Sequence, residues 1–522
     1  MDSGAPVTEA DVRGLQGGVW VVPSGKQDRR FLRVVPDGLP NDSTPGFHMN
    51  RLPRLSLPLL LLALPQCTAG TTSSGSPPVP ASSASSGFRI DYVHETLPNG
   101  LNVVYHVDRS APIVAVNTWY NVGSKHEQIG RTGLAHLYEH IMLFKGSRNI
   151  RDQERFALLE QAGGRAGVEI NGTTSFDRTN YFQQVPSNQL ELALWIEGDH
   201  MRTAGEALTI EAVNAQREIV KNERRQSNDN QPYGSWVERM VGHAYPSGHP
   251  YSHSVVGSMD DLSAQTLQDV QTFFNQYYSP DNAVMVIAGD IDLDNAKALV
   301  RKHFATIPKG LPRPPLRSTA VPATIGTARR EVVNDANART PAIFMGHRVP
   351  SQRASESAAI ELLAEILGSG RTSHLFSTMV RGQKATSSAA FNFGFIDGSD
   401  LFIANAIGRP GVDPATLERD LAGALDSAVA AITPDQLARV KASTRFQFIN
   451  GLQTMGGFGG RADRLAEGQT FHGDPNWVNR RLAEIDAVTV DQVRAVASTY
   501  LIPSNRVTLV FVPAAQSAPR SN

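Results

Sequence analysis

One turn signal used twice constrains this chain more than any other feature. Tyr278-Ser-Pro280-Asp-Asn282 closes an apolar-periodic helical stretch and runs into the strand-like Ala283-Val-Met-Val286. Tyr500-Leu-Ile-Pro503-Ser-Asn505 does the same ahead of Arg506-Val-Thr-Leu509. The two asparagines lie 505 − 282 = 223 residues apart. A helix–turn–strand unit recurring at that distance predicts a duplicated domain. The proline-rich Leu311-Pro-Arg-Pro-Pro315 falls between the copies and reads as a linker. Two similar domains are therefore expected, although 522 residues at about 150 per domain would suggest three or four.

Apolar spacing predicts helices over 133–144, 154–162, 186–201 and 210–225. A buried strand is expected over 113–122, a strand pair over 167–176 and 179–185, and a turn at Leu97-Pro-Asn-Gly100. Paired strands mixed with helices give an α+β fold, with mainly antiparallel sheets packed against helices. The 49 basic and 50 acidic residues nearly cancel, so the basic balance of a nucleic-acid binder is missing and no such partner is expected. A hydrophobic content of 41% is that of a globular chain with a sizeable core. The single cysteine, Cys67, excludes an internal disulfide and any cysteine-based zinc site, which leaves histidine and carboxylate as metal ligands.

Residues 1–48 show no periodicity and read as a non-native N-terminal extension, with translation starting at Met49. The basic Asn50-Arg-Leu-Pro-Arg54, the apolar run from Leu55 to Leu64 and the small residues after it have the order of a secretory signal over 49–69. The run is too short for a transmembrane helix, which needs about 20 apolar residues. Cleavage near Ala69 and lipid modification at Cys67 remain the two alternatives. Either predicts an exported, periplasmic protein, the second with a membrane anchor. The Ser/Pro/Gly-rich 70–87 reads as a flexible linker. The domains are then expected over 88–308 and 326–515, separated by a linker at 309–325 and followed by a tail at 516–522.

His136-Leu-Tyr-Glu139-His140 carries the chemistry. Residues three and four apart share a helix face, so both imidazoles and the Glu139 carboxylate project together. Two imidazoles four apart can grip one Zn²⁺, and a carboxylate between them can serve a water. The apolar neighbours Leu134, Ala135, Ile141, Met142 and Phe144 predict a buried helix, where three titratable groups need a partner. A catalytic zinc takes a third protein ligand and keeps one position open. The 210–225 helix offers Glu211, Glu218 and Glu223. Spacing alone does not choose among them. His243, His249 and His253 fit no standard ligand spacing and read as loop histidines. Gly368–Gly370 and the 456–460 glycines lack the context of a phosphate loop.

With HLYEH followed by QREIVKNERRQ, the chain resembles the pitrilysin-like (M16) zinc metallopeptidases of H-x-x-E-H type. GSKHEQIGRTGLAHLYEHIMLFKGS, NGTTSFDRTNYF, SGHPYSHSVVGSMDDL and YYSPDNAVMVIAGDID carry the same resemblance, which covers about residues 88–515. It implies two homologous pitrilysin-like domains of the half-size bacterial and mitochondrial-processing kind. It implies one Zn²⁺ held by His136, His140 and Glu223, the last chosen because Arg217 stands six residues before it. Glu139 is then the general base, and the family's auxiliary acid falls on Gln216, which can hydrogen-bond a ligand histidine without adding charge. The resemblance further implies that an extended peptide adds to the strand of Asn171, Gly172 and Thr173. It matches Arg381 to an arginine that faces the substrate carbonyl, while the accompanying tyrosine falls on Ser387 or Ser388. A heterodimer with a homologous subunit supplying an Arg/Tyr pair is expected. The implied function is an exported zinc endopeptidase acting on unfolded peptides. The alternative is a non-catalytic assembly or scaffold member of the family.

Overall fold

The computed structural model describes residues 89–514. The expectations for 1–48, 49–69, 70–87 and 516–522, Cys67 included, fall outside the described residues. Among the described residues no helix is long and apolar enough to cross a membrane.

The first half builds a six-stranded sheet from β1 (Val93–Thr96), β2 (Asn102–Val107), β3 (Ile113–Tyr120), β4 (Ile170–Thr174), β5 (Thr179–Pro186) and β6 (Ala283–Gly289), in the order β1-β2-β6-β3-β5-β4. The second half builds a five-stranded sheet from β7 (Arg329–Asp335), β8 (Ala342–Val349), β9 (Ala385–Asn392), β10 (Asp400–Gly408) and β11 (Arg506–Pro513), in the order β7-β11-β8-β10-β9. All neighbours are antiparallel except β2–β6 and β11–β7. The parallel pair thus recurs at the same place in both sheets, and in each it involves the strand that leaves the repeated turn. The fold is α+β with two homologous domains, as the duplicated signal implies.

The repeat has a physical cause. Asn282 Nδ2 donates to the Tyr277 carbonyl at 2.8 Å, and Asn505 Nδ2 donates to the Tyr500 carbonyl at 2.8 Å. Each asparagine therefore satisfies an orphan carbonyl at the end of the preceding helix and turns the chain into the sheet. Three elements come out shorter than their spacing suggests, the 113–122 strand ending at Tyr120. The expected 167–176 strand begins only at Ile170, because Gly167 adopts φ +79° in a turn whose N–H bonds the Ile170 carbonyl. The expected 186–201 helix begins at Leu190 after a 3₁₀ turn over Ser187–Gln189.

Both sheets are covered on both faces, so β3 and β8 are buried almost throughout instead of alternating with water. The two halves exchange a covering helix. Trp236–Ala244, from the first half, packs Val237, Met240 and Val241 against Phe344, Leu509 and Phe511 of the second sheet. Arg461–His472, from the second half, packs Leu465 and Ala466 against Val104, Ala115 and Val286 of the first. Lys125, almost fully buried, ties the halves further through ion pairs to Asp177 at 2.8 Å and Asp397 at 2.7 Å.

Candidate metal centre

The helix Leu134–Phe144 is apolar on most of its circumference and sinks into the first core, with Leu137, Tyr138, Ile141 and Met142 fully buried. Its remaining face carries His136, Glu139 and His140. The helix Ile210–Arg224 starts at Thr209, whose hydroxyl accepts the Ala212 N–H, and packs alongside through Val213 and Val220. That packing brings Glu223, in its last turn, to the two histidines. Glu223 Oε2 lies 3.2 Å from His140 Nε2 and 3.8 Å from His136 Nε2. The imidazole centroids are 4.9 Å apart with perpendicular planes.

One atom from each of His136, His140 and Glu223 lies within 4.8 Å of the others, the arrangement a single metal ion could occupy. Two imidazoles and one carboxylate form a zinc-type donor set with a position to spare. His136 Nδ1 and His140 Nδ1 are buried without hydrogen-bond partners. Glu211 is exposed in the first turn, and Glu218 pairs with Lys221 at 3.1 Å, so neither joins the cluster. The histidine side chains are 20% and 9% exposed and Glu223 38%, which leaves the cluster open on one side.

Electrostatics separate the two histidines. Burial, helped by neighbouring His140, pushes His136 down to about 3. Burial also opposes charge on His140, but its contact with Glu223 outweighs this and raises it. Glu223 is correspondingly held low by the histidines against its own burial. Glu139 is raised by burial, with His140, a hydrogen bond from Thr174 and the Arg178 charge pulling the other way. A carboxyl raised in this way beside a metal-type cluster is suited to proton transfer.

Gln216 sits beside His140, but its Oε1 is buried without a partner in hydrogen-bond geometry. Asn171, Gly172 and Thr173 lie on β4, at the edge of the first sheet beside β5. Thr174, the next residue, donates to Glu139 Oε2 at 2.7 Å. Buried Arg178 braces the same strand, donating to the Thr173 carbonyl at 3.1 Å and to Asn180 Oδ1 at 2.8 Å, with its guanidinium 4.8 Å from the Trp119 ring centroid. Sequence reasoning placed Thr174 on the peptide-binding strand without pairing it to Glu139, and it overlooked Arg178. Their signal was present in the NGTTSFDRTNYF hairpin, but only the strand pairing reveals that they face Glu139 and brace β4.

Arg381 lies in the second half, and its hydrogen bond goes to the Arg371 carbonyl. Ser388 Oγ donates to the Asn405 carbonyl at 2.7 Å within the second sheet. His243 pairs with Glu331 at 2.9 Å, and His249 and His253 bond to backbone groups. These three histidines gather no metal cluster among the described residues.

A duplicated α+β fold whose H-x-x-E-H helix meets a distant glutamate defines a pitrilysin-like class. Residues 102–258 match the family model described as Insulinase (Peptidase family M16), and residues 265–444 match the one described as Peptidase M16 inactive domain. A protein named Zinc protease PqqE from Helicobacter pylori is 30% identical over 365 residues, spanning 69% of this chain and 80% of that protein. The solved structure of a protease from Helicobacter pylori superposes with a TM-score of 0.74 at 26% identity, covering 81% of this chain and 100% of that one. The first half of the periplasmic protease PqqL from Escherichia coli shares the fold, with a TM-score of 0.61 at 19% identity over 83% of this chain and 96% of that one. The chain belongs to peptidase family M16.

Proposed function

We propose that this protein is a zinc-dependent endopeptidase that hydrolyses peptide bonds in unfolded peptides outside the cytoplasm. The observation that carries the reading is the convergence of His136, His140 and Glu223 beside the buried carboxyl of Glu139. His136, His140 and Glu223 would hold the ion. When bound there, zinc supplies Lewis acidity that polarises a carbonyl and makes water more acidic.

The chain's own groups do the rest. Glu139 takes a proton from the attacking water and returns it to the leaving amine nitrogen. Thr174 holds the Glu139 carboxyl in one orientation. The outer edge of β4, at Asn171, Gly172 and Thr173, accepts an extended peptide as an added strand, which gives affinity with little sequence preference. An unfolded substrate presents such a strand most readily.

The serines at 387 and 388 are too short to reach a substrate as a phenol would, and the Ser388 hydroxyl is engaged within its own sheet. This supports a heterodimer in which a homologous subunit contributes an Arg/Tyr pair, while Arg381 matches the arginine of such a pair and is assigned to substrate binding. Export is supported by the basic–apolar leader at 49–69 and by the periplasmic name of the Escherichia coli neighbour. Cys67 is then either a lipid anchor or part of the removed leader.

The test is peptide cleavage by purified wild type and Glu139→Gln, alone and with a co-expressed homologous subunit. Glu139→Gln is expected to lose turnover while retaining its metal. Full activity in that variant overturns the assignment.

A further inference from the structure

The helix that carries both histidines begins without a cap of its own. Its N-cap position is Gly133, at φ +84°, with no side chain to accept the first N–H groups. No other residue fits there, since a Cβ on Gly133 would lie 2.5 Å from the Val256 carbonyl oxygen. A helix start buried without acceptors for its N–H groups is costly. The deficit is met from Glu127, six residues upstream and 1% exposed. One Glu127 oxygen accepts the Gly133 N–H at 2.8 Å and the other accepts the Ala135 N–H at 2.8 Å.

Among the described residues no cationic side chain neutralises the Glu127 carboxyl at hydrogen-bond range. His253 Nδ1 is 3.6 Å from Oε2 and is kept neutral by its own burial. Arg317 reaches only the Glu127 backbone carbonyl, at 2.7 Å. The partners of the carboxylate are therefore the first N–H groups and positive end of the helix. Burial raises the Glu127 carboxyl, and the N–H groups of Ala135 and Gly133 are the chief forces pulling it down.

His136 is the third residue of that helix, inside the turn that Glu127 holds, whereas His140 lies a full turn further in. We infer that Glu127 is a positioning residue for the metal centre, fixing the first turn of the helix so that His136 faces His140 and Glu223. The inference rests on the proposed metal site. It adds that ligand geometry depends on a carboxylate that touches neither the ion nor the substrate. Without Glu127 the first turn frays and His136 swings away, while His140 and Glu223 stay in place.

The experiment measures zinc affinity and the visible spectrum of the cobalt-loaded full chain for wild type, Glu127→Gln and Glu127→Asp. Asn505→Ala serves as the control. It removes a buried asparagine with three backbone hydrogen bonds in the other half, and so destabilises without touching this helix. Glu127→Gln, which turns an N–H donor towards an N–H, is expected to weaken zinc at least about tenfold and to alter the cobalt spectrum, in line with outer partners of metal ligands. Glu127→Asp should fall between, and Asn505→Ala should stay within about twofold of wild type. In the wild type the amides of Gly133 and Ala135 should exchange slowly, a measurement that stands even if Glu127→Gln does not fold. Rapid exchange there, unchanged zinc affinity in Glu127→Gln, or equal weakening in Asn505→Ala overturns the inference. Failure of the wild type itself to bind zinc overturns the metal site instead.

Discussion

Thr174 Oγ1 donates a 2.7 Å hydrogen bond to Glu139 Oε2, joining the edge strand β4 to the helix that carries the two histidines. The strand proposed to bind peptide and the carboxyl proposed to move the proton are thus in direct contact. Thr174→Val keeps the shape and removes the bond. It is expected to lower kcat about tenfold, equivalent to roughly 1.4 kcal/mol for a bond to a charged group, with zinc content unchanged. Steady-state kinetics alongside metal analysis check this, and an unchanged kcat contradicts it.

Gln216 Oε1 lies buried and unpartnered next to His140. A carboxylate there accepts from a ligand imidazole and makes it more basic. Gln216→Glu is therefore expected to tighten zinc binding by about tenfold in a competitive chelator titration. Weaker binding in that variant would mean the position does not serve the histidine.

Lys125 separates two carboxylates that would otherwise face each other across the halves, with side-chain exposures of 2% for Lys125 and 6% and 24% for Asp177 and Asp397. Tyr251 adds a hydrogen bond to Asp177 Oδ1 at 2.5 Å. Removing the shared cation leaves buried charge without compensation. Lys125→Met is expected to cost about 3 kcal/mol in denaturant unfolding.

Acid should loosen the same junction. Asp397 is held low by Lys125 despite its burial, and Asp108 is held at about 2 by Ser110 and by Arg461 from the other half. A carboxyl whose folded value lies below its unfolded value, about 3.9, stabilises fully above that value. The contribution fades as pH falls through the folded value. The midpoint of thermal unfolding should therefore drop between about pH 4 and pH 2, more steeply in wild type than in Asp108→Asn.

Much of the fold was legible because its signals are local. The helix spacing around His136, the β-branched run of β3 and the Pro–Asn turns at 280–282 and 503–505 each depend on a few neighbouring residues. The exchange of Trp236–Ala244 and Arg461–His472 between sheets was not legible. An amphipathic helix advertises an apolar face but not the sheet that will receive it. The same limit applied to Glu127 and Thr174, whose partners lie 6 to 8 and 35 residues away and depend on how the loop and hairpin close. Among Glu211, Glu218 and Glu223, helical spacing left the choice open, and helix packing brought only Glu223 to the histidines.

The most direct test is zinc stoichiometry by metal analysis on the purified wild type and Glu223→Ala, each equilibrated with equal zinc and then desalted. One zinc per wild-type chain and close to none in folded Glu223→Ala is the expected result. Equal retention by both proteins would contradict a centre built from His136, His140 and Glu223.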